Sequence, residues 1–218
     1  MKILSVSDIE LNLIYSPQIV DQFKQVDIIV SCGDLPYYYL EYMISMLNKP
    51  LYYVRGNHNP VIENNSEWER HFPLGGWNIH RKVTQTSGGM LLAGIEGCLR
   101  YNTGPQQYTQ REMWVHVFHL IPKLFINRLR YGRFLDLFIT HAPPWKIHDA
   151  DDLPHQGIKA FRWFDEVFKP AYHLHGHVHL YRQDAIKLTF LGNTKILNTY
   201  GYQVTDIPAL LYEPGLNR

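Results

Sequence analysis

The sequence of 218 residues is 45% hydrophobic and 14% aromatic, and its formal net charge is only +1 at pH 7. We predict a single domain over residues 1–218, because that length fits one large core. A near-neutral chain has no bulk electrostatic reason to bind nucleic acid or a membrane. Two cysteines make no disulfide framework, and no stretch approaches a membrane span. The first residues lack the apolar run of a signal peptide, so we expect a cytoplasmic protein without a membrane partner.

Short apolar runs that end in polar or glycine-rich turns predict buried strands along the chain. Helical segments separate the first three, and this β-α-β-α-β order predicts an α/β domain with a parallel sheet. A long helix over residues 107–130 contains Pro122, which predicts a kink or a break there. The predicted strands are residues 3–7, 27–32, 51–54, 90–95, 135–140, 172–175, 186–191, 195–199 and 209–212. The other predicted helices are residues 17–24, 37–47 and 158–168.

Acidic, amide and histidine side chains follow five of the predicted strands. The carboxyl ends of parallel strands converge on one edge of a sheet, so we expect these side chains to meet there. Together they suit a pair of borderline divalent ions. His177 and His179 are two residues apart, so an extended segment would place them on one side. The whole set is Asp8, Glu10, Asp34, Asn57, His58, His141, His177 and His179.

Each of these groups also has a structural interpretation when it is taken alone. A Gly-Asp pair after a strand is commonly a turn, and a lone histidine such as His141 is commonly a hydrogen-bonded core residue. Five groups in order, each at a strand end, favour a metal site over coincidence. The sequence contains no serine or cysteine in a recognisable nucleophile elbow that would compete with it.

The five groups resemble the blocks of the calcineurin-like metallophosphoesterase family, which are Asp-x-His, Gly-Asp, Gly-Asn-His-Asp/Glu, a lone His and Gly-His-x-His. Here they stand as Asp8-Ile9-Glu10, Gly33-Asp34, Gly56-Asn57-His58-Asn59, His141 and Gly176-His177-Val178-His179. The resemblance implies an α/β fold in four layers, α/β/β/α, in which two mixed sheets pack face to face. It also implies a dinuclear, metal-dependent hydrolase of phosphoric mono- or diesters.

The resemblance further implies a role for each residue. The ligands of the first metal would be Asp8, Asp34 and His179, and those of the second Asp34, Asn57, His141 and His177. The nucleophile would be a metal-bridging hydroxide, which attacks phosphorus in line with the leaving oxygen. In the catalytic pair Asn57 and His58, only Asn57 would hold metal. His58 would be the general acid that protonates the leaving alkoxide.

Two positions depart from the family pattern. Glu10 replaces the histidine of the first block, and Asn59 replaces the acid after His58. Glu10 either reaches the first metal through an oxygen or points away and leaves the position to water. A carboxylate there would favour two Mn²⁺ or Fe²⁺ ions, with Zn²⁺ as the alternative. Asn59 lacks the charge that would steady His58, so the acid is either weaker or helped by another carboxylate.

Tyr37 is an alternative ligand for the first metal. It follows Asp34 by three residues, as the iron-binding tyrosine does in the purple acid phosphatase branch of the superfamily. The competing interpretation is a packing role in the run Tyr37-Tyr38-Tyr39. Glu10 follows Asp8 by two, so both side chains can leave the same side of an extended turn, and this spacing favours Glu10.

Phosphate chemistry commonly uses cationic contacts, and three residues are candidates for binding the substrate. Arg55 and Arg100 lie near predicted strand ends, and each could bind a phosphate oxygen. His155 belongs to the polar loop Pro154-His155-Gln156-Gly157. The competing interpretation for all three is a structural salt bridge or a solvated side chain.

A phosphoesterase acting on a phosphoester substrate is the favoured function, and two rivals stay open. A binding or scaffold protein with a degraded site would explain the two substitutions, but it has little reason to retain the other ligands. A nuclease would need a basic groove. Residues 111–133 carry five cations among so many apolar side chains that packing or a homodimer contact is favoured over nucleic acid.

Overall fold

The computed structural model describes residues 1–59, 61–64, 69–181 and 185–208. The strands are β1 (Lys2–Ser7), β2 (Ile28–Ser31), β3 (Leu51–Tyr53), β4 (Glu63–Asn64), β5 (Glu69–Arg70), β6 (Gly76–Asn78), β7 (Lys82–Gln85), β8 (Leu91–Ile95), β9 (Cys98–Leu99), β10 (Gln107–Tyr108), β11 (Leu137–Thr140), β12 (Tyr172–His175), β13 (Leu188–Leu191), β14 (Thr194–Asn198) and β15 (Gly201–Asp206). The helices are α1 (Gln18–Phe23), α2 (Tyr37–Leu47), α3 (Gln110–Tyr131) and α4 (Lys159–Phe168), and a 3-10 turn covers Leu153–His155. The predicted strand over residues 209–212 lies outside the described residues.

Most of these strands form two mixed sheets. The first has the order β15-β1-β2-β3-β6, in which only β15 runs antiparallel to its neighbour. The second has the order β13-β14-β12-β11-β8-β7, in which the two edge strands are antiparallel and the four central strands are parallel. The carboxyl ends of β1, β2 and β3 therefore share one edge, as do those of β11 and β12.

Three apolar clusters separate four layers of structure. Val30 of β2 and Leu137 of β11 belong to the cluster that joins the two sheets. A residue adjacent to either of these points to the opposite face of its sheet, because side chains alternate along a strand. Thus Ile29 packs with residues of α1 and α2, and Phe138 packs with residues of α3 and α4. The predicted α/β/β/α sandwich of two mixed sheets is confirmed.

Helix α3 differs from the prediction at its start and at Pro122. It begins at Gln110 because Thr109 and Glu112 form a capping box, in which the Thr109 hydroxyl accepts from the Glu112 N–H at 3.2 Å. The helix continues through Pro122, so the predicted break is wrong. A proline inside a helix costs about 3 kcal/mol. Leu120 and Leu124 are buried on the opposite face, at roughly 1.5–3 kcal/mol each, and they offset that cost.

The outer face of α3 carries several exposed apolar side chains. Phe118, Phe125 and Ile126 are each at least half exposed, and Leu129 is 88% exposed. Packing within the described part of the chain therefore does not account for them, and a homodimer contact through this face stays a prediction. None of the helices in the described ranges is long and apolar enough to span a membrane.

Candidate metal centre

The candidate ligands lie on loops that leave the carboxyl ends of strands in both sheets. Asp8, Asp34 and Asn57 follow β1, β2 and β3, whereas His141 and His177 follow β11 and β12. The backbones of Asp8, Asp34 and His177 are left-handed, with φ of 67°, 56° and 70°. This conformation is uncommon for residues with a Cβ, and it persists where the surrounding structure imposes it. The sheets thus hold several candidate ligands in unfavourable conformations at one place.

His141 has a defined orientation in this centre. Its side chain is fully buried, and its Nδ1 lies 2.8 Å from the carbonyl oxygen of Cys32. Because a carbonyl only accepts, Nδ1 carries a proton. The other ring nitrogen, Nε2, faces Asn57 Oδ1 at 2.9 Å and Asp34 Oδ2 at 3.2 Å. The amide of Asn57 is oriented by Tyr101, whose hydroxyl accepts from its Nδ2 at 3.0 Å.

The ring of His177 is also held by a hydrogen bond to a backbone carbonyl, but through Nε2, whereas His141 uses Nδ1. Its Nε2 donates to the carbonyl oxygen of Pro154 at 2.7 Å, so Nδ1 keeps its lone pair. The rings of His141 and His177 have their centroids 4.8 Å apart. Each histidine therefore has one nitrogen bonded to a backbone carbonyl and the other available as a metal ligand, an arrangement typical of metal sites.

This donor set fits a divalent cation. Ligand atoms of Asp34, His141 and His177 lie within 4.8 Å of one another, the one such group of three acidic, cysteine or histidine side chains in the described part of the chain. Asn57 adds an amide oxygen beside His141. A mixture of carboxylate, amide and imidazole suits zinc, iron or manganese.

The protonation of the cluster is consistent with a cation-binding role. Burial alone would lower the pKa of His141, but the charges of Asp34 and Asp8 and a hydrogen bond to Asp34 raise it to about 9. Burial would raise the pKa of Asp34, but the nearby His141 charge and hydrogen bonds from His141 and the His58 N–H lower it to about 2. Burial lowers the pKa of His177 to about 3. At neutral pH His141 therefore carries a positive charge beside the carboxylate of Asp34.

Two glycines allow the ligand loops to approach one another. A Cβ on Gly56 would lie 2.5 Å from Cγ of Asp34 and 2.6 Å from Cε1 of His141. A Cβ on Gly176 would lie 2.5 Å from a carboxylate oxygen of Asp8. Real Cβ atoms do not come so close, so any other residue at either position would displace a candidate ligand.

The remaining candidates for the first metal stand at the border of this cluster. Asp8 accepts the His177 N–H with both oxygens at 3.0 Å. Glu10 accepts from the Tyr38 hydroxyl at 2.6 Å. His179 is exposed, with Nδ1 2.6 Å from the Tyr181 hydroxyl. The segment is not extended at His177, where φ is 70°, so the extended backbone on which the predicted arrangement of His177 and His179 relied is absent there.

Tyr37, the alternative ligand, is buried beneath this border. Its side chain is 1% exposed, and it lies on the same helical face as Leu40 and Leu47. Burial raises the pKa of its hydroxyl, and the neighbouring Arg55 opposes that effect. A phenolate ligand would have to overcome this burial, so the packing interpretation is favoured.

Asn59 acts on the backbone of the ligand loops. Its Oδ1 accepts from the N–H of Asp34 at 2.9 Å and from that of Gly56 at 2.7 Å, and its Nδ2 donates to the carbonyl of Leu35 at 2.7 Å. The side chain is 4% exposed. Asn59 therefore ties the loop after β2 to the loop after β3, and in this structure its polar atoms are used there and not on the His58 ring.

His58 stands at a cavity of about 580 Å³ beside the cluster. Its backbone N–H donates to Asp34 Oδ1 at 2.7 Å, which fixes the loop, while its side chain is exposed. The described residues that line the cavity are Asp8, Ile9, Glu10, Asp34, Leu35, Pro36, Tyr38, His58, Asn59 and Glu63. An exposed imidazole beside a metal cluster is positioned for proton transfer to a ligand in this cavity.

The three candidate substrate contacts have partners of their own. Arg55 donates to both oxygens of the buried Glu96, at 2.8 and 3.1 Å. Arg100 pairs with Glu112 at the start of α3, at 3.0 Å. His155 bonds Asp152 at 2.6 Å, and its ring centroid is 5.0 Å from that of His177. The structure thus places His155 beside the cluster and gives both arginines structural ion pairs.

Several residues of the centre were not found in the sequence. Tyr101 orients Asn57, and the carbonyl of Pro154 orients His177. Both lie in loops without a periodic sequence pattern. A backbone carbonyl is present at every residue, so its role as an acceptor cannot be predicted from the residue type. Glu63 reaches the cavity from β4, a strand of only two residues. Tyr38 lies in the run Tyr37-Tyr38-Tyr39 that the sequence showed, but nothing local predicted that its hydroxyl would bond Glu10.

Comparisons with known proteins concern the family and the fold of the chain. A family profile described as calcineurin-like phosphoesterase matches residues 1–181. One solved crystal structure has a TM-score of 0.65 at 16% identity and covers 100% of this chain and 98% of its own. The crystal structure of TT1561 of Thermus thermophilus has a TM-score of 0.62 at 16% identity and covers 97% and 96%. At that identity both likenesses show the fold alone. No curated protein matches the sequence significantly.

Proposed function

The chain belongs to the calcineurin-like phosphoesterase family, which typically acts on phosphoesters with divalent metals, and we propose that it hydrolyses phosphoric mono- or diesters with two bound divalent ions. One observation carries the proposal. The buried Nε2 of His141 faces oxygen acceptors of Asn57 and Asp34 at 2.9 and 3.2 Å, with His177 alongside. Acceptors converge in this way where a cation binds.

Each metal has a proposed set of ligands. The second ion would be held by Asp34, Asn57, His141 and His177, which lie together. The first would be held by Asp8, Glu10 and Asp34, which line the cavity, and by His179, as the family pattern implies. When bound, the ions would acidify a water molecule and offset the negative charge of phosphate oxygens. The sequence departure at Glu10 favours Mn²⁺ or Fe²⁺ over Zn²⁺, since carboxylate oxygen is a harder ligand than imidazole.

His58 is the proposed general acid. Its loop is held by the bond from its N–H to Asp34, so the imidazole has a fixed starting point at the cavity. The leaving oxygen of a phosphoester gains negative charge as its bond to phosphorus breaks, and His58 would donate a proton to it. Asn57, immediately before it, would fix this loop on the second ion.

The two rival functions are less well supported. Three candidate ligands have left-handed backbone conformations, which cost conformational free energy. A scaffold protein that binds no metal would gain nothing from them. A nuclease would meet four carboxylates and no lysine or arginine among the described residues that line the cavity. A cytoplasmic location remains a prediction.

Glu10 is proposed to replace the missing histidine on the first metal. We expect Glu10→Ala to retain manganese less well than the wild type, and an iron-loaded, oxidised wild-type preparation to lack a purple colour, because only a phenolate bound to ferric iron absorbs visible light strongly. Elemental analysis measures the manganese that each protein retains, and absorption spectroscopy of the iron-loaded wild type measures the colour. A purple band that Tyr37→Phe abolishes would assign the position to Tyr37 instead.

The proposed function is tested by assaying the purified chain on p-nitrophenyl phosphate and bis(p-nitrophenyl) phosphate. We expect hydrolysis of at least one ester with manganese or iron present, its loss on EDTA treatment and its return when the metal is restored. The matched control is His141→Ala, which removes a ligand candidate from the buried cluster and should show none of this activity. Equal rates with and without EDTA would contradict the proposal.

A further inference from the structure

The charge of the cavity is informative about the substrate. Four carboxylates line it, those of Asp8, Glu10, Asp34 and Glu63, whereas the described lining residues include no lysine or arginine. Two bound divalent ions would offset the carboxylates that ligate them. Glu63 lies outside both proposed ligand sets, so its negative charge stays in the cavity when the metals are bound.

Glu63 also occupies the place where an anion would otherwise bind. The first N–H groups of a helix form a natural site for a phosphate oxygen. Helix α2 starts at this cavity, but the Tyr37 N–H donates to Glu63 Oε2 at 2.6 Å, and the Tyr38 N–H donates to the same carboxylate. A second negative charge on a substrate would therefore meet a carboxylate at this helix end and not free N–H donors.

Three arginines near Glu63 or the metal centre are engaged in ion pairs. Arg70, opposite Glu63 in β5, donates to Glu41 at 2.9 Å, so its charge is shared and compensates Glu63 only in part. Arg55 is held by both oxygens of Glu96, and Arg100 is held by Glu112 and the carbonyl of Gln107. Neither lines the cavity. The rest of the described lining is His58 and Asn59 together with four apolar or aromatic residues, Ile9, Leu35, Pro36 and Tyr38.

From this lining we infer that the substrate is a phosphodiester with at least one uncharged, largely apolar ester arm, and that Glu63 disfavours phosphomonoesters; this rests on the proposed function. A diester carries one negative charge, whereas a monoester above neutral pH carries two. The extra charge is repelled by Glu63 across a solvent-filled cavity, where one largely screened charge pair changes binding by about tenfold. The cavity of about 580 Å³ leaves room for a group beyond the phosphate.

The test compares two esters with the same leaving group on the manganese-loaded chain at pH 8. The wild type is expected to have the higher kcat/KM on bis(p-nitrophenyl) phosphate than on p-nitrophenyl phosphate. Glu63→Gln keeps an oxygen for the Tyr37 N–H and removes the charge, so it should raise kcat/KM on the monoester about tenfold relative to the diester. The matched control is Glu69→Gln in the neighbouring strand β5, whose side chain is 57% exposed and lies outside the cavity. It should leave the ratio unchanged.

Each result decides the inference. A wild type that prefers the monoester would overturn it, and that comparison does not depend on the folding of any variant. An unchanged ratio in a folded Glu63→Gln protein would also overturn it, because the charge of Glu63 would then not discriminate. Hydrolysis of neither ester with manganese, iron or zinc would instead refute the proposed function, and the two failures are therefore distinguishable.

Discussion

Replacing His58 with alanine is expected to slow the hydrolysis of an alkyl phosphoester by roughly 10²–10⁴-fold and to leave the metal content unchanged. An alkoxide is a poor leaving group that needs a proton, and the exposed imidazole at the cavity is placed to supply it. p-Nitrophenolate leaves with little help, so the same variant should lose much less activity on a p-nitrophenyl ester. Steady-state kinetics on the two esters, with elemental analysis of the variant, measure this difference.

The matched control for this experiment is His71→Ala. His71 is an exposed histidine, with its side chain 57% accessible and bonded to Glu69, and it does not line the cavity. It should leave both activities unchanged. Equal losses on the two esters in His58→Ala, or loss of metal, would show that His58 serves as a ligand or a structural residue and not as the acid.

Replacing Asp34 with alanine is expected to weaken metal binding by at least about 100-fold and to abolish hydrolysis with it, since removal of even an outer partner of a ligand costs 10–100-fold. Asp34 contacts His141 with one carboxylate oxygen and accepts the His58 N–H with the other. Its pKa of about 2 keeps it ionised at neutral pH, in spite of its burial, through the charge and hydrogen bond of His141. Calorimetric titration of the EDTA-stripped protein with manganese measures the affinity.

Asp21→Ala provides the control for Asp34→Ala, because Asp21 is an exposed aspartate in α1, away from the cavity. It should bind manganese as the wild type does. A folded Asp34→Ala protein with unchanged manganese affinity would remove Asp34 from the metal centre and would leave the proposed bridging role without support.

The buried helices and strands of the fold could be predicted from the sequence. Predicted bounds coincide with α2 and β12, because apolar periodicity is strong in both and their ends are marked by turns. The capping box of Thr109 and Glu112 was also present in the sequence, but the prediction did not use it and started the helix three residues too early, at Gln107. The local sequence was therefore sufficient to predict the bounds of those elements whose apolar periodicity reflects burial.

The edge strands could not be predicted in the same way. Strand β15 (Gly201–Asp206) pairs with β1 over six residues, yet only two of its residues are buried. Strand β7 (Lys82–Gln85) is polar throughout one face and pairs with β8. Such strands form because the neighbouring strand has unpaired backbone N–H and C=O groups. Their own side chains contribute little to the preference for strand structure.

In the candidate site, too, some features could be predicted from the sequence and others could not. The order of the blocks was sufficient to bring Asp34, His141 and His177 to one cluster, since parallel strands deliver their ends to one edge. It was not sufficient for contacts between loops. The pairing of Arg55 with Glu96 joins residues 41 positions apart, and the capping of α2 by Glu63 joins residues 26 apart. No local pattern encodes such partners.

The central claim is that this chain holds two divalent ions, and elemental analysis of the purified protein after refolding or incubation with manganese tests it most directly. Asp34 belongs to both proposed ligand sets. The first set also contains Asp8, Glu10 and His179, and the second also contains Asn57, His141 and His177. We therefore predict two metal ions per chain, which are lost together when Asp34 is replaced. Less than one metal ion per chain under these conditions would contradict the account.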